Sequence, residues 1–119
     1  LKDICENLRE KNVPKIVFAK GGGLWLDSLA KLEINGLGLD WSIDLARARA
    51  IVGDKIALQG NLDPAVMLTN PKTVKLETNK ILKQIGDRKG YIFNLGHGIT
   101  PDVDPEHVEI LIETVHSYP

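Results

Sequence analysis

The sequence predicts an α/β fold in which one helix is followed by four strand–helix units. Short β-branched or apolar runs alternate with longer segments of helical periodicity along the chain. Such alternation is typical of a parallel sheet with right-handed crossovers. A complete (β/α)8 barrel needs ~250 residues, or about 31 per unit, and residues 13–119 hold four units at nearly that density. An open doubly wound sheet and half of a barrel therefore both remain possible.

The first strand follows a helix that a proline ends. Residues 1–12 show helical spacing, with Ile4 and Leu8 on one face. Pro14 ends this helix because proline disfavours helical geometry in the residue before it. Residues 15–19 are rich in β-branched side chains and predict the first strand.

A glycine run leads into the helix of the first unit. Residues 21–23 are all glycine and predict a tight turn that lets Trp25 pack. Trp25, Leu29 and Leu32 recur at the spacing of an amphipathic helix. The Asn-Gly pair at residues 35–36 is a strong signal for the end of that helix.

The strand of the second unit is short and apolar. Residues 37–40 match a fully buried parallel strand, and either Asp40 or Ser42 is expected to cap the next helix. Gly53 ends that helix. The expected apolar face of the helix consists of Leu45, Ala48, Ile51 and Val52.

The third unit has a strand at residues 56–60 and two helix starts. Asp63 and Asn70 each stand directly before a proline, which predicts an N-cap followed by the first helical position. Gly86 ends the longer of the two helices. The expected apolar face of this longer helix consists of Val74, Thr78, Ile81, Leu82 and Ile85.

The fourth unit contains a strand at residues 91–95 and the last helix, which begins at Asp104 before a proline. His107 and His116 lie on this helix and are expected to face solvent. The expected apolar face of the helix consists of Val108, Leu111, Ile112 and Val115.

The charge composition gives no sign of a strongly charged partner. The chain has 119 residues and a formal net charge of -1. It lacks the basic excess that is typical of nucleic-acid-binding domains, so no nucleic-acid partner is expected. Arg47 and Arg49 fall on one amphipathic helix, and we expect both on its solvated face.

The single cysteine and the lack of a long apolar run favour a soluble protein in a reducing compartment. Cys5 is the single cysteine, so it can form neither an internal disulfide nor a thiolate cluster, and it is expected to be a small apolar residue of the first helix. No run of ~18 apolar residues predicts a membrane span, and no signal peptide is evident. The first residue is leucine and the single methionine is Met67, so the chain is expected to be a piece of a longer protein.

Polar residues and glycines follow each of the four predicted strands. In a parallel sheet or barrel these loops share the C-terminal edge, where active sites are built. Four such loops in a row indicate an active-site rim. The residues concerned are Lys20 with residues 21–23, Asp40 with Trp41, Gln59 with Gly60, Asn61 and Asp63, and Asn94 with Gly96, His97 and Gly98.

His97 is the most informative of these residues. Its imidazole can donate, accept or carry charge near neutral pH. The flanking Gly96 and Gly98 are expected to let the backbone turn sharply and approach a ligand. The alternative is a turn histidine that caps a helix or is satisfied by backbone groups.

The other loop residues each have a functional and a structural interpretation. The glycine run after Lys20 could bind an anion through backbone N–H groups, although it matches neither common phosphate-loop pattern. Asp40 could act as a general base, but it fits a helix cap better. Gln59 and Asn61 suit hydrogen bonding to a polar ligand and are poor acid–base groups.

No metal site is predicted from the sequence. His97, His107 and His116 are too far apart in pattern to share one coordination shell. Neither an HExxH helix nor a second cysteine is present.

Five motifs together resemble the uroporphyrinogen decarboxylase family, in order and over essentially the whole chain. They lie at residues 18–23, 38–41, 58–64, 94–98 and 104–108. The resemblance implies that the chain is a single partial domain, residues 1–119, forming the C-terminal half of a (β/α)8 TIM-type barrel. It further implies a homodimer that is cytosolic or plastid, with no metal or organic cofactor.

The resemblance also implies an activity, the conversion of the four acetate side chains of uroporphyrinogen III into the methyl groups of coproporphyrinogen III in haem biosynthesis. The family's substrate-binding histidine maps to His97, while Lys20, Gln59 and Asn61 are weaker candidates at the rim. The family's aspartate, arginines, tyrosine and serine lie in its N-terminal portion, so no catalytic residue is assigned here. We therefore expect this chain to lack decarboxylase activity alone.

Two alternatives to this interpretation remain. One is a related barrel methyltransferase of the same superfamily, which would need zinc held by histidine and cysteine ligands. The position of Cys5 on the first helix, away from the strand-end loops, counts against it. The other is a barrel fragment without any activity.

Overall fold

A computed structural model describes residues 1–86 and 89–119. Within these residues, four short parallel strands form one sheet: β1 (Ile16–Phe18), β2 (Gly36–Gly38), β3 (Ala57–Gln59) and β4 (Tyr91–Ile92). Their order in the sheet is β1-β2-β3-β4. A doubly wound sheet reverses its strand order at a switch point, whereas the strands of a barrel follow one another in sequence. The sequential order therefore decides between the two predicted architectures in favour of part of a barrel.

Helices connect the strands, and side-chain caps start four of the eight described helical segments. The α-helices are α1 (Lys2–Asn7), α2 (Leu26–Leu29), α3 (Leu45–Val52), α4 (Pro71–Ile85) and α5 (Pro105–His116), with 3-10 turns at Arg9–Lys11, Gly22–Trp25 and Pro64–Leu68. Asp63, Asn70 and Asp104 accept backbone N–H groups as N-caps, which confirms those predictions. The predicted cap of α3 was wrong, because Asp44 caps that helix through the N–H of Arg47.

Each face of the sheet has a different environment. Leu37 and Leu58 are fully buried against the helices. On the opposite face Ile16, Phe18 and Ile92 remain 50%, 47% and 41% exposed. Part of this second face, at β1 and β4, is therefore uncovered, as expected for the inner surface of a barrel whose remaining strands are not part of this chain.

The predicted apolar faces of the first two helical segments differ from the observed core. Ile4 and Leu8 are exposed, so the predicted apolar face of the first helix was wrong, whereas Cys5 is buried, as predicted for a small apolar residue. Trp25 is 65% exposed, so the predicted packing of this residue was wrong. Leu26 is buried in its place, because the segment begins as a 3-10 turn with tighter winding than the assumed α-helix.

Two helical faces from the sequence can be compared directly with the core. The predicted face of α4 is confirmed: Val74, Thr78, Leu82 and Ile85 are buried, and Ile81 is partly buried. On α5, however, Ile112 is 47% exposed, so this part of the predicted face was wrong.

Arg49 is the largest departure from the predicted packing. Its side chain was expected on a solvated face, but the residue is 3% exposed. The guanidinium donates hydrogen bonds to the carbonyl oxygens of Gly53, Ile56 and Gly90 at 2.8 Å each. These carbonyls lie in the turns that lead into β3 and β4, so one planar group with five donors joins both turns. Arg47 is exposed, as predicted.

Residues 1–86 and 89–119 contain no helix with both the length and the apolar character needed to cross a membrane.

Candidate functional site

Asp40 joins the loops that follow β1 and β2. The residue is 4% exposed. One carboxylate oxygen accepts the backbone N–H of Gly21, and the other accepts the hydroxyl and the backbone N–H of Ser42. The sequence offered a general base or a helix cap for Asp40. The cap prediction was wrong, because Asp44 caps the next helix, and the observed hydrogen bonds of Asp40 instead fix two loops together.

The surroundings of Asp40 favour its ionised form. Burial opposes ionisation and would raise the pKa of this carboxyl group. Hydrogen bonds from the Ser42 hydroxyl and from the N–H groups of Gly21 and Ser42, with the nearby Lys20 ammonium, outweigh burial and leave the pKa lowered. An ionised carboxylate that already accepts three hydrogen bonds is a good fixed acceptor and a weak proton acceptor for substrate.

Asn61 extends this connection to the loop after β3. Its side-chain amide donates to the carbonyl oxygens of Asp40 at 2.9 Å and Ile43 at 2.6 Å. The residue is 4% exposed. Asn61 was predicted as a weaker rim candidate. In the structure its amide nitrogen donates both of these hydrogen bonds to backbone carbonyls.

The loop after β4 packs closely against the loops after β2 and β3. The N–H of Gly96 donates to the carbonyl oxygen of Leu62 at 2.7 Å. A Cβ atom at position 96 would lie 2.5 Å from the backbone nitrogen of Trp41. Gly96 and Gly98 were expected to permit a sharp turn, but neither is among the glycines with positive φ. Gly96 is instead required because a second backbone passes too close for any side chain.

His97 lies on this loop with aromatic rings on two neighbouring strand ends. Its ring centroid is 6.0 Å from that of Trp41, with an interplanar angle of 86°, and 6.2 Å from that of Phe18, at 67°. Both contacts have the edge-to-face geometry that aromatic quadrupoles favour. The side chain is otherwise exposed, so an orientated imidazole is presented to solvent.

A cavity of about 510 Å³ opens beside His97, on the uncovered side of the sheet. Gln59 and Asn94 contribute polar groups to its wall, and Phe18 contributes an aromatic ring. This volume falls in the range of small-molecule sites, roughly 300–1,000 Å³. Two predicted site residues, Gln59 and His97, therefore share one cavity at the carboxyl ends of the strands.

Lys20 reaches the same region through a different contact. Its Nζ lies 5.7 Å from the centroid of the Trp41 ring. This distance is within cation–π range. Trp41 thus contacts both Lys20 and His97, although the sequence singled it out only as a neighbour of Asp40. Its position directly after a buried strand was the signal that could have identified it.

The two histidines of α5 differ in their environment. His116 is exposed, as predicted. The prediction for His107 was wrong, because its Nδ1 lies 2.8 Å from the carbonyl oxygen of Met67 in a partly buried contact. His107 thereby ties α5 to the 3-10 turn after β3. Within the described part of the chain, no group of three or more His, Cys, Asp or Glu residues is placed to hold a metal ion.

Comparisons with known sequences agree on one family. A family model described as uroporphyrinogen decarboxylase (URO-D) matches residues 1–118. A uroporphyrinogen decarboxylase of Aromatoleum aromaticum is 50% identical over 114 residues, which are 93% of this chain and 32% of that protein. The corresponding protein of Alcanivorax borkumensis is 55% identical over 105 residues, 88% of this chain and 30% of that protein. The chain thus spans about a third of the length of the curated relatives it matches.

Comparison with solved structures supports the fold. A methyltransferase from Methanosarcina mazei superposes with a TM-score of 0.80 and 20% sequence identity. The match covers 96% of this chain and 34% of that one. At this identity the likeness shows the barrel-type fold alone.

Proposed function

Because the chain belongs to the uroporphyrinogen decarboxylase family, we propose that it forms the C-terminal part of an enzyme that decarboxylates uroporphyrinogen III to coproporphyrinogen III. In this proposal the chain is one partial domain, and strands outside it complete the barrel. The complete enzyme is a homodimer of the cytosol or plastid and uses no metal or organic cofactor.

The role proposed for this chain is substrate binding by His97. The observation that carries it is the position of the imidazole, exposed at the wall of the cavity and in contact with two aromatic rings. An imidazole N–H, and more so an imidazolium, forms a charge-assisted hydrogen bond with a carboxylate. The substrate carries carboxylates on every pyrrole ring. Gln59 in the same wall can donate an additional neutral hydrogen bond.

The proposed chemistry conserves atoms and charge at each acetate. A proton adds to the pyrrole ring, and the electron-poor ring then accepts the electron pair of the breaking bond between the side-chain CH2 and the carboxylate. CO2 leaves, and a second proton converts the CH2 carbon to a methyl group while the ring loses the first. Each cycle therefore consumes one proton net. The acid–base groups for these steps belong to the portion outside this chain.

A hybrid enzyme can test this function. In it, the present chain replaces the matching segment of the Aromatoleum aromaticum relative. We expect the hybrid to release CO2 from uroporphyrinogen III. His97→Ala should lower kcat/KM by about 10- to 100-fold, which corresponds to loss of one hydrogen bond to a charged group. The assay follows coproporphyrinogen formation after oxidation to the porphyrin.

Three controls accompany this assay. His116→Ala, an exposed histidine on α5, should leave kcat/KM within about twofold, as substitutions at unremarkable surface positions usually do. The 119-residue chain alone should show no turnover, and the unaltered relative should be fully active. A folded hybrid without activity would contradict the proposed function. An active hybrid that is indifferent to His97→Ala would contradict the role of His97.

Asp40→Asn separates a structural role of Asp40 from a catalytic one. The amide cannot accept all the N–H and O–H groups that now surround the carboxylate, so we expect the hybrid to lose both unfolding free energy and activity. A general base would lose activity with unchanged stability. Urea unfolding and the decarboxylation assay, run on the same samples, distinguish these outcomes.

The difference in unfolding free energy between the parent hybrid and its Asp40→Asn variant should also depend on pH. Because the folded-state pKa of Asp40 is lowered below its ordinary value of 3.8, the carboxylate stabilises the fold fully above that value. This contribution is lost as the pH falls through the folded-state pKa. The difference in unfolding free energy between the hybrid and Asp40→Asn should therefore be constant above about pH 5 and shrink in more acidic buffer. A difference that grows on acidification would contradict this assignment.

A further inference from the structure

We propose that Trp41 is the positioning residue of this site, holding the His97 imidazole in the orientation that binds a substrate carboxylate. This inference rests on the proposed function of His97 and goes beyond it. It assigns a role to a residue that does not line the cavity itself. The role is mechanical, since an indole ring has no group that could accept or supply the protons of the reaction.

The backbone of Trp41 is held on two sides. Its preceding residue, Asp40, is fixed by the hydrogen bonds to its carboxylate and by the Asn61 amide on its carbonyl oxygen. From the opposite loop, the backbone of Gly96 comes so close that a Cβ there would lie 2.5 Å from the Trp41 nitrogen. The residue that carries the indole ring and the residue next to His97 are therefore in direct backbone contact, and the two loops have little freedom to separate.

The indole ring is held as well. Packing alone does not fix this ring, because Trp41 is 40% exposed. The Lys20 ammonium lies 5.7 Å from the ring centroid, and this cation–π contact opposes rotation of the ring. The ring in turn meets the His97 ring at 6.0 Å and 86°. An exposed histidine on a loop loses side-chain rotational freedom in such a contact, so less entropy remains to be lost when substrate binds.

A double-mutant cycle in the hybrid enzyme tests this role. Trp41→Leu keeps an apolar side chain and removes the aromatic contact. We expect it to raise KM about fivefold, the order that one aromatic pair contributes, while kcat changes little. Trp41→Phe should restore most of the loss, because a phenyl ring can make the same edge-to-face contact. In a His97→Ala background, Trp41→Leu should have almost no further effect on KM.

Trp25→Leu is the matched control, since Trp25 is 65% exposed and outside the cavity. It should leave both kinetic constants unchanged. If Trp41→Leu raises KM as much in the His97→Ala background as in the parent hybrid, the tryptophan does not act through His97. The inference is then overturned. It is also overturned if Trp41→Phe behaves like Trp41→Leu. Both results leave the decarboxylase proposal intact, because that proposal is tested by the hybrid and His97→Ala alone.

Discussion

Replacing Arg49 with methionine is expected to lower the unfolding free energy of the hybrid enzyme by about 1–3 kcal/mol, the cost of a buried acceptor left without its donor. Methionine keeps the apolar stem, so the change isolates the guanidinium. The buried carbonyl oxygen of Ile56 loses its Arg49 donor, as does the partly buried carbonyl of Gly53, whereas the carbonyl of Gly90 keeps the backbone N–H of Leu58. Urea denaturation followed by far-UV circular dichroism measures the difference.

Arg47→Met provides the control for this substitution. Arg47 lies on the same helix and is exposed, so its replacement should shift stability by no more than about 0.5 kcal/mol. Arg49→Lys should recover only part of the loss, because a compact ammonium cannot reach three separated carbonyls with the geometry of a planar guanidinium. Equal effects of Arg47→Met and Arg49→Met would refute a structural role for the buried arginine.

Gly96→Ala is expected to be strongly damaging although it adds only a single methyl group. The new Cβ would lie 2.5 Å from the backbone nitrogen of Trp41 and 3.0 Å from the carbonyl carbon of Asp40. Backbone atoms cannot rotate away, so the loops must separate. We expect a loss of about 1–3 kcal/mol in unfolding free energy. Displacement of His97 should also lower kcat/KM, by up to the roughly 10- to 100-fold expected for removal of its imidazole.

Gly98→Ala distinguishes this steric effect from a general cost of removing glycine. Gly98 lies on the same loop, and a Cβ at this position would meet no atom within 4 Å. The unfolding free energy of Gly98→Ala should therefore match that of the parent hybrid. If both alanine variants lose stability equally, close approach to Trp41 is not the reason for Gly96.

Helix starts could be predicted from local sequence signals, because a helix start depends only on residues that are neighbours in the chain. Asp63, Asn70 and Asp104 cap their helices as predicted, since an N-cap needs only its own side chain and the next turn. Strand order was not predictable from periodicity, because it depends on which strands meet in space. The resemblance to a barrel family supplied it, and the observed order agrees.

Long-range contacts explain two of the wrong predictions, those for Arg49 and His107. Arg49 has the pattern of a solvated helix residue, and its burial is explained by the carbonyls of Ile56 and of the distant Gly90, which accept from its guanidinium. His107 likewise bonds to Met67, which lies 40 positions earlier. The site itself was predicted as a set of loops at one edge of the sheet. The use of Asn61 and Asp40 to join those loops could not be predicted, because the same amide and carboxylate would serve a ligand equally well.

The sequential strand order also has a consequence for how this chain acquires its structure. Each strand pairs with the strand that precedes it along the chain, so no pairing has to wait for a distant segment to be synthesised. Folding can advance from one unit to the next as the polypeptide emerges, with the newest edge always serving as the template for the following strand. Interruption after any complete unit would leave a shorter sheet of the same kind rather than a mispaired one.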